Sequence, residues 1–371
     1  MVRAALRPLA LAALLGGVCR AAAPAPLPVE RFDRTEYVSA VDAADRLGMR
    51  LSWRAAGRQL AISDSAHRME LTAESREASV DGLKLYLGSS VVSRGGRLYI
   101  CRADYERRLL PLVRPAWCGA PPRAPIVIAV DPGHGGVDHG TENLRLGVQE
   151  KTVNLDVGLR LKRLLEDAGF KVVITRTNDT KVELPLRALI ANQAGADLFV
   201  SIHFNSLTHD TQTHGTEVYT FPLQAQRSDQ SWGERENDSE PLASPVNRFD
   251  CWSSILGDAV HRSLLNTLHT EDRGWKTKHL AALRALTCPA VLVESAYLSN
   301  DAEAARVASP AFRQQVAEAL LAGVRAYAAQ LELLRGGQPA RAPAGAPPPA
   351  QPPLPPSALA PLSHPTRPGS S

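Results

Sequence analysis

An α/β fold with a mostly parallel sheet and helices on both faces, preceded by a small α+β domain, is the class this sequence predicts. Three observations predict it. From Ile126 onward, short apolar runs of strand length alternate with amphipathic stretches of helical length. Those apolar runs are continuous, as suits strands covered on both sides. Upstream, residues 29–118 carry shorter, half-polar runs punctuated by turn residues.

The chain has 371 residues, room for two domains and a tail. Its 44% hydrophobic and 22% charged residues are ordinary for a soluble globular protein. A net charge of +4, with no block of Lys and Arg, gives no footprint for nucleic acid.

"MVRAALR" is a short positive segment and "PLALAALLGGVC" an apolar run behind it. Small residues in "CRAAAPAP" offer cleavage near Ala21 or Ala23, so residues 1–23 read as a secretory signal. A short membrane anchor is the alternative; Val18 before Cys19 makes a poor lipobox. The run is short for a span, and no other approaches spanning length. The mature chain is therefore expected to be exported, periplasmic or associated with the cell envelope, with no membrane span.

In the small domain, "YVSAVDAADRLGMRLSW" reads as a strand, a helix carrying Val41, Ala44 and Leu47, and a strand ending at Trp53. "RQLAISD", "HRMELTA", "REASVDG" and "LKLYLG" read as short strands, and "GGRLYICRADYERRLLPLV" as a strand followed by a helix. The Pro-rich stretch "RPAWCGAPPRAP" is a joint between domains.

The second domain is expected over 125–331. "IVIAV" is a strand, and "KTVNLDVGLRLKRLLEDAG" a helix with apolar positions Val153, Val157, Leu161, Leu164 and Leu165 and a stop at Gly169. "FKVVITR", "DLFVSIHF", "TEVYTF" and "AVLVESAYL" are strands. "LPLRALIANQAG", "WSSILGDAVHRSLLNTLH" and the long final run from Ser309 are helices. From 335 to 371, Pro, Ala, Gly and Ser dominate, a composition that cannot bury a core. Four cysteines remain after cleavage, with no CxxC pair. Disulfides Cys101–Cys118 and Cys251–Cys288, or buried free thiols, are both open readings.

Open α/β sheets bind ligands beyond the carboxyl ends of their strands. The first strand ends in "DPGHGG", which places His134 there. Gly133, Gly135 and Gly136 permit unusual backbone angles and close approach around it. "SIHFNS" places His203 at the same edge, and "VLVESAYLSN" places Glu294 after three apolar residues. Glu150, in "QEKTVNL", starts the first helix, whose N-terminus faces that edge. Singly, His203 reads as a core histidine and Glu150 as an acid complementing the helix dipole. Glu294 within an apolar strand is harder to dismiss, since a buried carboxylate without a partner is costly. Together the four read as a metal site. Two histidines and a carboxylate form a catalytic zinc set that keeps a position for water and lowers its pKa to about 7. A further carboxylate then moves the proton, a role for Glu294. Asp131 is open between bonding a ligand imidazole and capping the turn. The GxxxxGK[ST] and GxGxxG spacings of nucleotide loops are absent from this glycine loop.

"VDPGHGG", "GVQEKTVNLDVGLRLKRLLEDAGFKVVITR", "LRALIAN", "ADLFVSIHFNS", "GTEVY" and "PAVLVESAYLSN" resemble the zinc-dependent N-acetylmuramoyl-L-alanine amidases of the Amidase_3 type, over roughly 126–328. The resemblance implies a peptidoglycan hydrolase that cuts the amide between N-acetylmuramic acid and L-alanine, in wall remodelling or daughter-cell separation. It implies Zn2+ held by His134, Glu150 and His203, and Glu294 as the catalytic glutamate. The upstream segment, through "YVSAVDAADRLGMRLSW", "ASVDG" and "RLYICRADYERRL", resembles the copper amine oxidase N-terminal-like domain. That likeness implies neither copper nor oxidase chemistry, and leaves a wall-binding module or a spacer open.

"VDHGTENLRLG" departs from the acidic-Gly-Ala run common in the family and brings His139 near the site. His139, His209 and His214 read as loop residues. The stretch from Pro222 to Trp252 reads as a lid, a glycan-contacting loop or plain disorder, and Trp232 and Trp275 as candidates to stack on sugars. The partners expected are peptidoglycan and a regulatory protein. The rival readings are a zinc peptidase or carboxypeptidase on stem peptides and a non-catalytic wall-binding regulator.

Overall fold

The computed structural model describes residues 26–229 and 238–336. The signal segment, Trp232 and the tail from residue 337 onward lie outside the described residues.

The N-terminal part opens with β1 (Glu30–Phe32), β2 (Thr35–Ser39) and α1 (Ala40–Leu47). Ser39 caps α1 by accepting from the Val41 N–H, and Ala40, Ala43, Ala44 and Leu47 form its buried stripe. An antiparallel meander follows: β3 (Arg50–Ala55), β4 (Gln59–Ser63), β5 (Arg68–Thr72), β6 (Glu77–Val80) and β7 (Leu83–Tyr86). Then come β8 (Val92–Arg94), β9 (Arg97–Cys101), α2 (Arg102–Asp104), a π turn over Tyr105–Leu109 and α3 (Leu110–Val113).

The second part contains β10 (Val127–Pro132), β11 (Glu142–Asn143), β12 (Val148–Gln149), α4 (Glu150–Asp167), β13 (Lys171–Ile174), α5 (Leu184–Gln193) and β14 (Leu198–Asn205). It continues with β15 (Thr216–Thr220), α6 (Asp250–Leu268), β16 (Asp272–Thr277), α7 (Ala281–Arg284), β17 (Ala290–Tyr297), α8 (Asp301–Ala308) and α9 (Pro310–Leu334). The strands lie in the order β13-β10-β14-β17-β15-β16, parallel throughout except where β15 runs against β17. The mostly parallel sheet expected from the apolar runs is present.

β16 was not among the strands legible in the sequence, and it has a particular job. It pairs with β7 at Trp275 and Leu85, so the sheet continues into the N-terminal meander and reaches eleven strands. A separate four-stranded sheet, β1-β2-β9-β8, completes the N-terminal part.

Period-two alternation sorts the strands' side chains between two faces. Ile128, Val130, Leu198, Val200, Ile202, Val291 and Val293 join the core made with α4, α6 and α9. Ala129, Phe199, Ala290 and Leu292 join a second core with Ala188 and Ala191 of α5 and Leu283 of α7. Each fully buried aliphatic side chain contributes roughly 1.5–3 kcal/mol, which is how a sheet this apolar is held between two helical layers. By the same parity Asp131, Ser201, His203 and Glu294 project on the α5 side. Among the described residues no helix is long and apolar enough to cross a membrane.

Candidate metal centre and active site

β10, β14 and β17 are mutually parallel, so their carboxyl ends share one edge. Beyond β10 the chain turns through Gly133 and His134. His134 itself adopts a left-handed conformation, φ 60°, which costs a residue with a Cβ roughly 1–2 kcal/mol. Two buried arginines hold the loop there. Arg187 donates to the carbonyls of Pro132 and His134 at 2.9 and 3.0 Å. Arg176 donates to those of Pro132 and Gly133 at 3.0 and 2.7 Å. A Cβ at residue 133 would collide with the imidazole of His203, so glycine there lets the loop pass directly over the second histidine.

The three expected ligands meet. One donor atom each from His134, Glu150 and His203 lies within 4.8 Å of the other two. His134 Nε2 is 3.2 Å from Glu150 Oε2, and His203 Nδ1 is 2.9 Å from Glu150 Oε1. The two imidazole rings meet edge to face at 4.9 Å. Glu150 is buried, 4% exposed, and its carboxylate also accepts the backbone N–H of Thr141 at 2.8 Å and of Phe204 at 3.2 Å. Burial alone would raise its pKa, but its bonds to His134 and His203 outweigh that and hold it well below the usual carboxylate range. Burial would likewise depress His134, yet the carboxylates of Glu150 and Asp138 raise it.

His134 has a partner the sequence reading missed. Its Nδ1–H donates to Asp138 Oδ1 at 2.8 Å, which fixes the tautomer and leaves Nε2 as the free donor atom toward Glu150. The spacing i, i+4 after the histidine was the available signal. Asp131, weighed for this role, is turned elsewhere. It accepts from Arg187, Thr175 and Ser201 at 2.7, 2.6 and 2.7 Å, inside the sheet. Asp131 thus anchors Arg187, and Arg187 anchors the loop.

Glu294 sits beside the cluster, opposite His203 on β14 and opposite Glu217 on β15. Its Oε2 is shielded from solvent and has no hydrogen-bond partner among the described residues. Burial first, then the charges of Glu150 and Glu217, push its pKa well above the ordinary value. Glu217 is neutralised in turn: Lys276 Nζ lies 2.6 Å from its Oε1, and Tyr219 and Tyr297 donate to it. Burial opposes this, but those partners keep Glu217 below the usual range. Beside the histidines a cleft opens between Lys181, Val182, Leu184 and Ala282.

Other candidates fall outside. His139 pairs with Glu142 at 2.7 Å, His214 with Glu271 at 3.3 Å, and His209 is exposed, as loop residues should be. Trp275 is 2% exposed and donates to Thr220, so it cannot stack on a sugar; its ring is core at the β16–β7 junction. Cys101, Cys118, Cys251 and Cys288 are all free thiols. The pairings Cys101–Cys118 and Cys251–Cys288 are not formed: Cys101 packs with Tyr37 and Tyr99, and Cys288 lies in the core beneath α5 and α7.

Comparison with known proteins identifies the family. Residues 128–326 match the family model described as N-acetylmuramoyl-L-alanine amidase, and residues 24–104 match the copper amine oxidase N-terminal domain. The chain is 34% identical to the N-acetylmuramoyl-L-alanine amidase AmiC of Escherichia coli over 256 residues, covering 61% of this chain and 58% of that protein. It is 32% identical to the AmiC of Neisseria meningitidis, covering 57% of this chain and 54% of that one. Among solved structures, the amidase AmiC2 of Nostoc punctiforme is 31% identical, with a TM-score of 0.45 over 54% of this chain and 96% of that one. The chain thus spans little more than half the length of these two curated relatives. With the amidase model matched over more than half of its residues, the chain belongs to the N-acetylmuramoyl-L-alanine amidase family.

Proposed function

We propose that this protein is a zinc-dependent peptidoglycan amidase, cutting the bond between the lactyl group of N-acetylmuramic acid and the first L-alanine of the stem peptide. The convergence of His134, Glu150 and His203 beside the unpartnered carboxyl oxygen of Glu294 is the observation that carries this reading. Two imidazoles and a carboxylate are a donor set that suits zinc. His134 is already prepared as a ligand, because Asp138 occupies its other nitrogen. When bound, zinc supplies a Lewis acid and lowers the pKa of water.

The chain's own residues do the rest. Glu294, held rigidly by β14 and β15 on either side, takes a proton from the attacking water. Its raised pKa suits it to keep that proton and then hand it to the departing alanyl nitrogen. The cleft at Lys181, Val182, Glu183 and Leu184 offers apolar walls and the Lys181–Glu183 ion pair to the substrate chain. Export and a restraining protein partner belong to the same reading, since a wall hydrolase acts outside the membrane and has to be held in check.

Digesting isolated sacculi with the full chain, followed by mass analysis, tests it. The expected products are intact stem peptides with a free N-terminal L-alanine and glycan strands without peptides. Shortened stems would make the protein a peptidase. Binding to sacculi with no release of either product would make it a wall-binding protein.

A further inference from the structure

We infer that Cys118 and Cys251 form an intramolecular disulfide that fastens the N-terminal part of the chain to helix α6 of the amidase region. The inference stands apart from the hydrolytic reading.

The two thiols are remote in sequence and adjacent in space. Cys118 ends the helical run that closes the N-terminal part, directly after the turn Pro115–Trp117. Cys251 is the second residue of α6. Both line one cavity, with Trp117, Arg107 and Tyr105, and each thiol is the leading influence on the other's ionisation. The surrounding contact is tight: Ser254 Oγ donates to the Arg107 carbonyl at 2.8 Å, and the Cys251 thiol lies 3.8 Å from the Glu106 carbonyl.

The chemistry of the pair is asymmetric. Arg107 Nη1 lies 3.7 Å from the Cys251 sulfur. Donation from Cys118 is the main influence on Cys251; with the Arg107 charge it outweighs burial and lowers the Cys251 pKa to about 7. The Cys118 thiol, as the donor, is raised. Cys101 and Cys288 are pushed by burial up to about 11 and about 12, which keeps them as inert thiols. With the Arg107 guanidinium beside its sulfur, Cys251 is assigned as the attacking thiolate and Cys118 as the resolving one.

The oxidant is an external disulfide, RSSR. The Cys251 thiolate attacks one sulfur, forming a mixed disulfide and expelling RS⁻. Cys118 loses its proton to solvent and attacks the Cys251 sulfur of that mixed disulfide. The Cys118–Cys251 bond forms and the second RS⁻ leaves. Two thiols are oxidised and one external disulfide is reduced to two thiols. In an oxidising compartment such a bond persists.

Incubation of the full chain with oxidised glutathione, alkylation under denaturing conditions and peptide mapping test this. The expected result is a single cross-linked peptide joining Cys118 to Cys251, with Cys101 and Cys288 alkylated. Cys118→Ser should instead stop at one glutathionyl adduct on Cys251. Oxidised wild type should melt several degrees above its reduced form, a difference retained in Cys288→Ser and lost in Cys118→Ser. Four alkylated cysteines after oxidation, or a cross-link through Cys101 or Cys288, would overturn the inference.

Discussion

The start of α4 and the end of β17 each present a carboxylate to the same edge of the sheet, and they treat it in opposite ways. Glu150 is supplied with two imidazoles and two backbone N–H groups, and its pKa is driven down. Glu294 has a shielded oxygen without a partner, lies near two other carboxylates, and its pKa is driven up. The difference teaches how the labour divides. A group that stays anionic through charge-assisted bonds can hold a cation; one that resists ionisation is suited to take up a proton and pass it on. Environment, rather than residue type, separates the roles.

The sharpest way to break this comparison is on the ligand side. His203→Ala removes one of the three donors, so stoichiometric zinc and all measurable amide hydrolysis should vanish together. Metal content by elemental analysis after dialysis checks this. Full zinc occupancy in the variant would remove His203 from the ligand set.

Glu294→Gln should separate what His203→Ala joins. The amide keeps the volume but cannot cycle a proton, so activity should fall by about 10²–10⁴-fold. Zinc affinity should hold within a few-fold, because Glu294 is not in the donor cluster. Titration calorimetry of zinc alongside release of stem peptides reads both. A variant with near wild-type turnover would return Glu294 to the status of a structural acid.

The contrast also shows what was legible from residues alone. The apolar runs of β10, β14 and β17 are unmistakable strands, and three chemical residues toward their ends, with Glu150 at the start of α4, follow from strand polarity. β16 was missed for a physical reason. Its sequence "DRGWKT" is polar because Lys276 and Arg273 are counter-charges to Glu217 on β15. The polarity that hides the strand is the same polarity that neutralises the carboxylate beside Glu294. Asp138 was hidden differently. Attention in "VDHG" goes to the histidine, yet His139 turns away to Glu142 while its neighbour Asp138 bonds His134. Loop geometry at that scale has no periodicity to read.

A smaller effect is expected beneath the loop. Arg187 is 2% and Asp131 0% exposed, and Arg187→Met would leave Asp131 buried without its counter-charge. Breaking such a pair costs about 3–5 kcal/mol. Urea unfolding of the metal-free protein should show a loss of that size. A change under 1 kcal/mol would mean that Thr175 and Ser201 satisfy Asp131 unaided.

The finest probe is Asp138→Asn, which tests whether the cation-holding side is prepared in advance. The asparagine oxygen can still accept from His134 Nδ1, so the ring need not move, but the negative charge that makes the imidazole a better donor is gone. Zinc affinity should drop by about 10–100-fold, read by competition against a chelator. At saturating zinc, turnover should recover most of its value, since Glu294 is untouched. Asp138→Ala should lose more, because the tautomer is then no longer fixed. Equal affinity in all three proteins would mean that the Arg187-braced loop alone positions His134, with Asp138 merely a surface acid in reach of it. An Asn variant whose turnover stays low at saturating zinc would blur the division between the two carboxylate environments, since a group on the ligand side would then be setting the rate of proton transfer.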